Sequence, residues 1–314
     1  MPASYVHQCV AASACDALSL FSAPQLRNAV LAGSEGPDPL FFSVLRPSIP
    51  RLGSILHTQK TDDFLLALAK ACSASEITRA YCCGFFSHYA ADTTFHPFVY
   101  AHSLMEDGSY SSTAHCTLEH QIETLHHRRR GHARGLPVQM EGFAALRCGE
   151  KQEIAHALAQ AIAEVFPGEA LPVKRVRGSF EDAVALCRLL RSQGGIRYRA
   201  LGALLRPFHL DAPLHAHMMP KEAPDADITN DAHAPWRSLW VPEETRTESF
   251  NDLYQKAVAR SMELISAADS YMQGHGSYAS LRALHGGYSY DSGLPWQTTC
   301  SARQAAERLK SPVI

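Results

Sequence analysis

Within the stretch YCCGFFSHYAADTTFHP, Tyr81 to Pro97, the residues His88, Asp92 and His96 stand four apart. Side chains at i and i+4 lie one above the other on a helix, so this spacing predicts a helix with three metal-capable groups along one face. Imidazole and carboxylate are ligands that divalent zinc takes at roughly 2.0–2.2 Å. A ladder of this kind belongs between packed helices, as in metal sites built inside helical bundles. Pro97 disfavours helical geometry at His96, which places the third rung at or just past the expected helix end.

The rest of the chain supplies helical partners. Residues 5–20 and 24–33 have helical spacing, and GSEGPDP after them carries the Gly and Pro of a turn. Thr61 or Asp62 is placed to cap a helix through Phe64, Leu65 and Leu68, and Ser73 or Ser75 precedes the ladder helix. A loop is expected over 103–113, then a helix from His115 to His127 with His115 and Glu119 again at i and i+4. Ile154, Leu158, Ile162 and Val165 keep helical periodicity, as do Ala183, Leu186, Leu189 and Leu190 behind a Ser179/Asp182 capping pattern. Residues 207–245, rich in Pro, His and Asp, are expected to be a long irregular connection, followed by a helix marked by Phe250, Leu253, Tyr254, Ala257, Val258, Ser261 and Ile265. No period-2 alternation is sustained. The expectation is an all-α fold, a multi-helix bundle in one domain over 1–314, with the metal-site region in 1–135, a helical remainder in 136–272 and an irregular tail in 273–314.

Composition narrows the function classes. A formal net charge of −2 argues against broad attachment to nucleic acid or anionic membrane. Nine cysteines include the adjacent pair Cys82–Cys83 but no C-x-x-C, so neither a disulfide framework nor a thiolate zinc motif is indicated. No apolar run of about 18 residues suggests a membrane span. The N-terminal stretch contains His7 and Asp16 and no Lys or Arg before Arg27, unlike a signal peptide; a cytoplasmic protein is expected. Seventeen histidines are the outlier.

Taken singly, a His-x-x-x-Asp pair on a helix is more often a surface or core pair than a ligand set, and Asp38 between two prolines is more often a turn former. The order His7, Asp38, His57, His88, Asp92, His96, His115, Glu119 changes those odds. With GPDPLF, Leu56-His57, HYAADTTFHP and HCTLE around it, this order resembles the zinc-dependent phospholipase C family, whose wider relatives include S1/P1-type nucleases. The resemblance is specific over residues 7–119 and continues more loosely through Asn230 to Val258. It implies one zinc held by His57, His88 and Asp92, and a second held by His96, His115 and Glu119, with Asp92 bridging. It also implies a third zinc shared by Asp92 and His7 with the amine and carbonyl of an N-terminal Trp. No Trp precedes His7 here, so two zinc ions are expected, the third site lacking that partner. Asp38 matches the position of the family's proposed general base, a carboxylate outside the metal shells.

The activity so implied is metal-dependent phosphoester hydrolysis, with metal-activated water attacking phosphorus. The expected partner is a phosphoester substrate such as a phospholipid head group. One rival keeps the chemistry and changes the substrate to a single-stranded nucleic acid or nucleotide; another is a non-catalytic scaffold stabilised by metal. Outside the ladder, Tyr81 and Tyr89 are weighed as packing ahead of hydrogen-bond donors to the ligands. The basic run HHRRRGHAR, His126 to Arg134, is weighed as a helix end whose cations complement the macrodipole, ahead of a phosphate-attracting patch. His209, His215, His217 and His233 are weighed as exposed loop residues. GGYSYDSGLPW, Gly286 to Trp296, is weighed as a tail packed on the bundle surface ahead of a wall of the active-site cleft.

Overall fold

The computed structural model describes residues 4–43, 48–132, 136–191, 195–208, 215–222 and 224–310. Among these, thirteen α-helices and no strands are present, which makes the fold all-α as expected. In chain order the helices are α1 (Ser4–Ala17), α2 (Pro24–Gly33), α3 (Ser48–Thr58), α4 (Thr61–Cys72), α5 (Glu76–His102), α6 (Ser112–Arg129) and α7 (Glu141–Ala145). There follow α8 (Cys148–Val165), α9 (Val173–Leu189), α10 (Gly195–Leu205), α11 (Phe250–Met272), α12 (Tyr278–His285) and α13 (Ala302–Lys310). A short 3-10 helix, Asp38–Phe42, follows α2.

The ladder helix, α5, is the axis of the molecule. Ser75 caps it, its hydroxyl accepting from the Thr78 N–H while the Thr78 hydroxyl accepts in return from the Ser75 N–H, which satisfies two end groups reciprocally. From Ala80 through Tyr100 almost every side chain is buried, on all sides of the helix. A helix buried on every side is a core helix, and α11 and α2 pack most extensively against this one. The approach to α2 is close enough that a Cβ on Gly84 would lie 2.1 Å from the Val30 carbonyl oxygen. That closeness brings the chain just after α2 beneath the His88 rung.

Four local expectations are corrected. The helix does not end at Pro97 but runs on to His102, placing His96 within it. Proline inside a helix costs about 3 kcal/mol and frees the carbonyl four residues back. Here that carbonyl, Thr93 C=O, lies under the backbone of Gly293, where a Cβ would approach it to 2.6 Å. Burial of Phe95, Phe98, Val99 and Tyr100, each large apolar side chain contributing roughly 1.5–3 kcal/mol, outweighs the loss. Second, α4 is not capped by Thr61 or Asp62: Lys60, at φ 46°, holds the cap position with no side-chain bond. Third, Ser179 and Asp182 lie inside α9, which begins after Pro172; Ser179 donates to the Val176 carbonyl, and Asp182 accepts from Ser43. Fourth, the stretch after 273 is not wholly irregular, since α12 and α13 form within it.

The nine cysteines form no disulfide, and no helix among the described residues is long and apolar enough to cross a membrane. The basic run ends α6 and is engaged locally: Arg129 pairs with Asp231, Arg130 lies 3.4 Å from the Tyr254 hydroxyl, and Arg128 donates to the Lys221 carbonyl. Arg134 and His209 lie outside the described residues.

Candidate metal centre

Five elements bring the ladder and its partners together. His88, Asp92 and His96 come from α5, His7 from α1, Asp38 from the 3-10 helix, His57 from the end of α3, and His115 and Glu119 from α6. All eight side chains are buried. The i,i+4 geometry is realised: His88 Nε2 lies 3.0 Å from Asp92 Oδ2, and His115 Nε2 lies 3.2 Å from Glu119 Oε1.

The atoms sort into two neighbouring groups. In one, Asp92 Oδ2 lies 3.7 Å from His57 Nε2, and Asp92 Oδ1 lies 3.1 Å from His7 Nε2. In the other, His96 Nε2 lies 3.4 Å from Glu119 Oε1 and 3.7 Å from Asp92 Oδ1. The two oxygens of Asp92 therefore face different partners, which is the placement of a bridging carboxylate. Asp38 does not stand apart from these groups as expected. Its Oδ1 lies 3.1 Å from His57 Nε2 and its Oδ2 lies 3.6 Å from His88 Nε2, so it belongs to the ligand-spaced cluster. The turn does this: Gly36, at φ +52°, passes so close to the His88 ring that a Cβ would lie 2.2 Å from its Cδ2, and Asp38 follows directly beneath.

The donor set fits a bound cation. The Nδ1–H groups of His57, His88 and His96 donate to the carbonyls of Gly53, Ser34 and Tyr290 at 2.7, 3.0 and 3.0 Å. Each bond fixes the tautomer that leaves Nε2 with a lone pair, and each Nε2 faces carboxylates. His88 Nε2, Asp38 Oδ2 and Asp92 Oδ2 are buried with no hydrogen-bond partner, a costly arrangement for polar atoms unless something positive lies among them. Among the described residues, groups of ligand atoms within 4.8 Å of one another form three times: His7, His88 and Asp92; Asp38, His57 and His88; His96, His115 and Glu119. Imidazole with carboxylate is a zinc-type donor set. Electrostatics agree: burial pushes the Asp92 carboxyl up, but His88, then His96 and His7, hold it well below the usual range. His96 is lowered by burial yet raised by Asp92 and Glu119, reaching about 10 without a cation. The carboxylates of Asp92 and Glu119, both held ionised, give the cluster the negative potential that a divalent cation would offset.

A cleft of about 490 Å³ opens onto this cluster, with Asp38, His57, His96 and His115 on its floor. Phe41, Leu186 and Leu190 make an apolar wall, Tyr100 and Tyr110 an aromatic one, and Asp291 adds a carboxylate. Leu186 and Leu190 carry helical periodicity and read as ordinary core; only the docking of α9 on the Asp38 helix turns them to the cleft. Asp291 lies in the segment weighed as surface packing, which instead folds back on the site with Tyr290 fully buried. The clue was its composition, two tyrosines and a tryptophan between turn residues. Tyr81 packs on Phe85 and Phe143, and the Tyr89 hydroxyl donates to the His285 carbonyl, so neither tyrosine hydroxyl is bonded to a ligand-type side chain.

Next to the cluster, Glu35 is buried and accepts from Ser4 Oγ at 2.6 Å and Gln8 Nε2 at 2.8 Å. Burial dominates and pushes its carboxyl up from 4.5 to about 7. Between those values the folded chain holds a proton that the unfolded chain has released, so stability falls as pH rises through the window, by on the order of 3 kcal/mol in all. Glu35→Gln keeps the acceptor oxygen and removes the titration. Metal-free Glu35→Gln is expected to gain stability over metal-free wild type as pH rises from 5 to 8, measured by urea unfolding; parallel pH curves would show that Glu35 does not titrate there.

Comparison with curated proteins and with solved structures gives no match. The family model described as zinc dependent phospholipase C matches residues 6–163, half of the 314-residue chain, and every residue of the buried cluster lies inside the matched segment. On that match the chain belongs to the zinc-dependent phospholipase C family.

Proposed function

We propose that the cleft hydrolyses a phosphoester in which one substituent is apolar, as in a phospholipid. The observation that carries this is the opening of a mainly apolar cleft directly onto the buried His/Asp/Glu cluster. Zinc, when bound, supplies Lewis acidity toward phosphoryl oxygens and an activated water near neutral pH. His57, His88, Asp38 and Asp92 would hold one ion, and His96, His115 and Glu119 a second, while His7 and Asp92 offer part of a third set. The chain's own work is orientation. Main-chain carbonyls aim three imidazoles, Asp92 ties the two groups together, and the Phe41, Leu186 and Leu190 wall keeps water from the apolar part of the substrate. Asp38, at ligand distance, acts in this reading by holding the first ion and only through it on the nucleophile.

The nucleic-acid rival is the weaker reading. Binding along a phosphate backbone draws on Lys and Arg, yet among the described residues neither lines the cleft, and Asp291 does. A panel of phospholipids, small phosphodiesters and oligonucleotides, assayed with zinc-loaded protein, tests the proposal. Turnover of lipid-type esters with oligonucleotides left intact is expected; cleavage of oligonucleotides alone would overturn it, and no turnover on any ester would favour a metal-stabilised scaffold.

A further inference from the structure

The segment after α12 lies beyond residues 6–163, yet it is joined to the metal centre through its main chain. The Tyr290 N–H donates to the His57 carbonyl at 2.9 Å, and the Tyr290 carbonyl accepts from His96 Nδ1 at 3.0 Å. One residue thus spans both ligand groups, His57 on α3 and His96 on α5. Its ring closes the back of the site, with centroids 5.1 Å from His57, 5.8 Å from His88 and 5.0 Å from Tyr89. His57 takes its orienting carbonyl from Gly53 in its own helix and His88 from Ser34. His96 takes it from a residue 194 positions away in sequence.

The segment is held in that position from outside the site. Its loop closes on itself through Ser289 N–H to Leu294 C=O at 2.8 Å and Gly293 N–H to Ser289 C=O at 2.9 Å. Trp296 Nε1–H donates to Asp62 Oδ1 on α4 at 2.9 Å, and the Tyr288 N–H donates to the Tyr89 hydroxyl at 2.8 Å. Gly293, at φ +66°, sits on the Thr93 carbonyl that Pro97 leaves free. A ligating histidine depends on the partner of its other nitrogen for tautomer and aim, and losing such a partner typically costs about 10- to 100-fold in metal affinity or activity.

We propose that Tyr288 to Trp296 forms a strap that sets the geometry of the metal centre, with Tyr290 as the positioning residue that aims His96 and fixes the end of α3 bearing His57. The inference rests on the reading of the buried cluster as a zinc site. It is tested on the full chain with two variants that leave every ligand residue unchanged. Trp296→Phe deletes the bond to Asp62 and keeps the ring packing; Gly293→Val forces the loop off Thr93. Zinc affinity is measured by competition with a chromophoric chelator, the visible spectrum is recorded after cobalt substitution, and near-UV circular dichroism checks the fold. Both variants are expected to bind zinc more weakly, by up to the roughly 10- to 100-fold that loss of a ligand's own partner costs, with an altered cobalt spectrum. Should Gly293→Val unfold the chain, Trp296→Phe alone carries the decision. Folded variants with wild-type zinc affinity and an unchanged cobalt spectrum would overturn the strap and leave the zinc site standing. A wild-type chain that binds no zinc would overturn the zinc site itself.

Discussion

Asp92→Asn is expected to reduce phosphoester turnover by at least roughly 1,000-fold, because the metals supply several kcal/mol of transition-state stabilisation and each ~1.4 kcal/mol is a factor of ten. Its two oxygens face different partners, Oδ1 toward His7 and His96 and Oδ2 toward His88 and His57. The amide has nearly the same shape but no charge and only one acceptor oxygen, so it cannot serve both sides. His96, His115 and Glu119 remain grouped without it. Zinc content should therefore fall to about the single ion held by that set, while the fold persists. Elemental analysis of the variant checks this, and a full zinc complement with normal turnover would remove Asp92 from the bridging position.

Asp38→Asn has the second largest expected effect, and its outcome separates two roles. As a base outside the metal shells, Asp38 would lose turnover on substitution while zinc content survived. As a ligand, 3.1 Å from His57 Nε2 and 3.6 Å from His88 Nε2, it should lose turnover and the ion of the first group together. The second result is expected. Its buried Oδ2, with no hydrogen-bond partner, needs a cation nearby to offset the desolvation of a charged oxygen, and the His88 side of the cluster is where that cation would lie. Retention of both groups' zinc with turnover abolished would restore the base.

Much of this site was legible because helices turn spacing into geometry. His88, Asp92 and His96, and likewise His115 and Glu119, needed only the i,i+4 rule, and the helices around them needed only their apolar period. Asp38 was less legible, since its distance from His57 and His88 depends on a glycine turn passing under an imidazole, which no local pattern encodes. Pro97 misled for a related reason. The local rule disfavours the helix, and the burial of Phe95, Phe98, Val99 and Tyr100 that outweighs it comes from packing against residues distant in sequence, such as Trp236, Leu239 and Phe250. Tyr290 and Asp291 show the same limit: a main-chain carbonyl that orients a ligand carries no side-chain signature. The Ser179/Asp182 pattern failed differently, because a hydroxyl followed by an acid three residues on also occurs inside a helix, where Ser179 bonds back to Val176.

The central claim is that the buried cluster holds zinc and that phosphoester hydrolysis depends on it. The most direct measurement is the zinc content of the purified 314-residue chain, determined together with phosphoester turnover before chelation, after it and after zinc is returned. At least two zinc ions per chain are predicted, with turnover lost when they are removed and regained when they are restored. A chain that carries no divalent metal, and whose turnover and stability are unchanged by the chelator, would contradict the account.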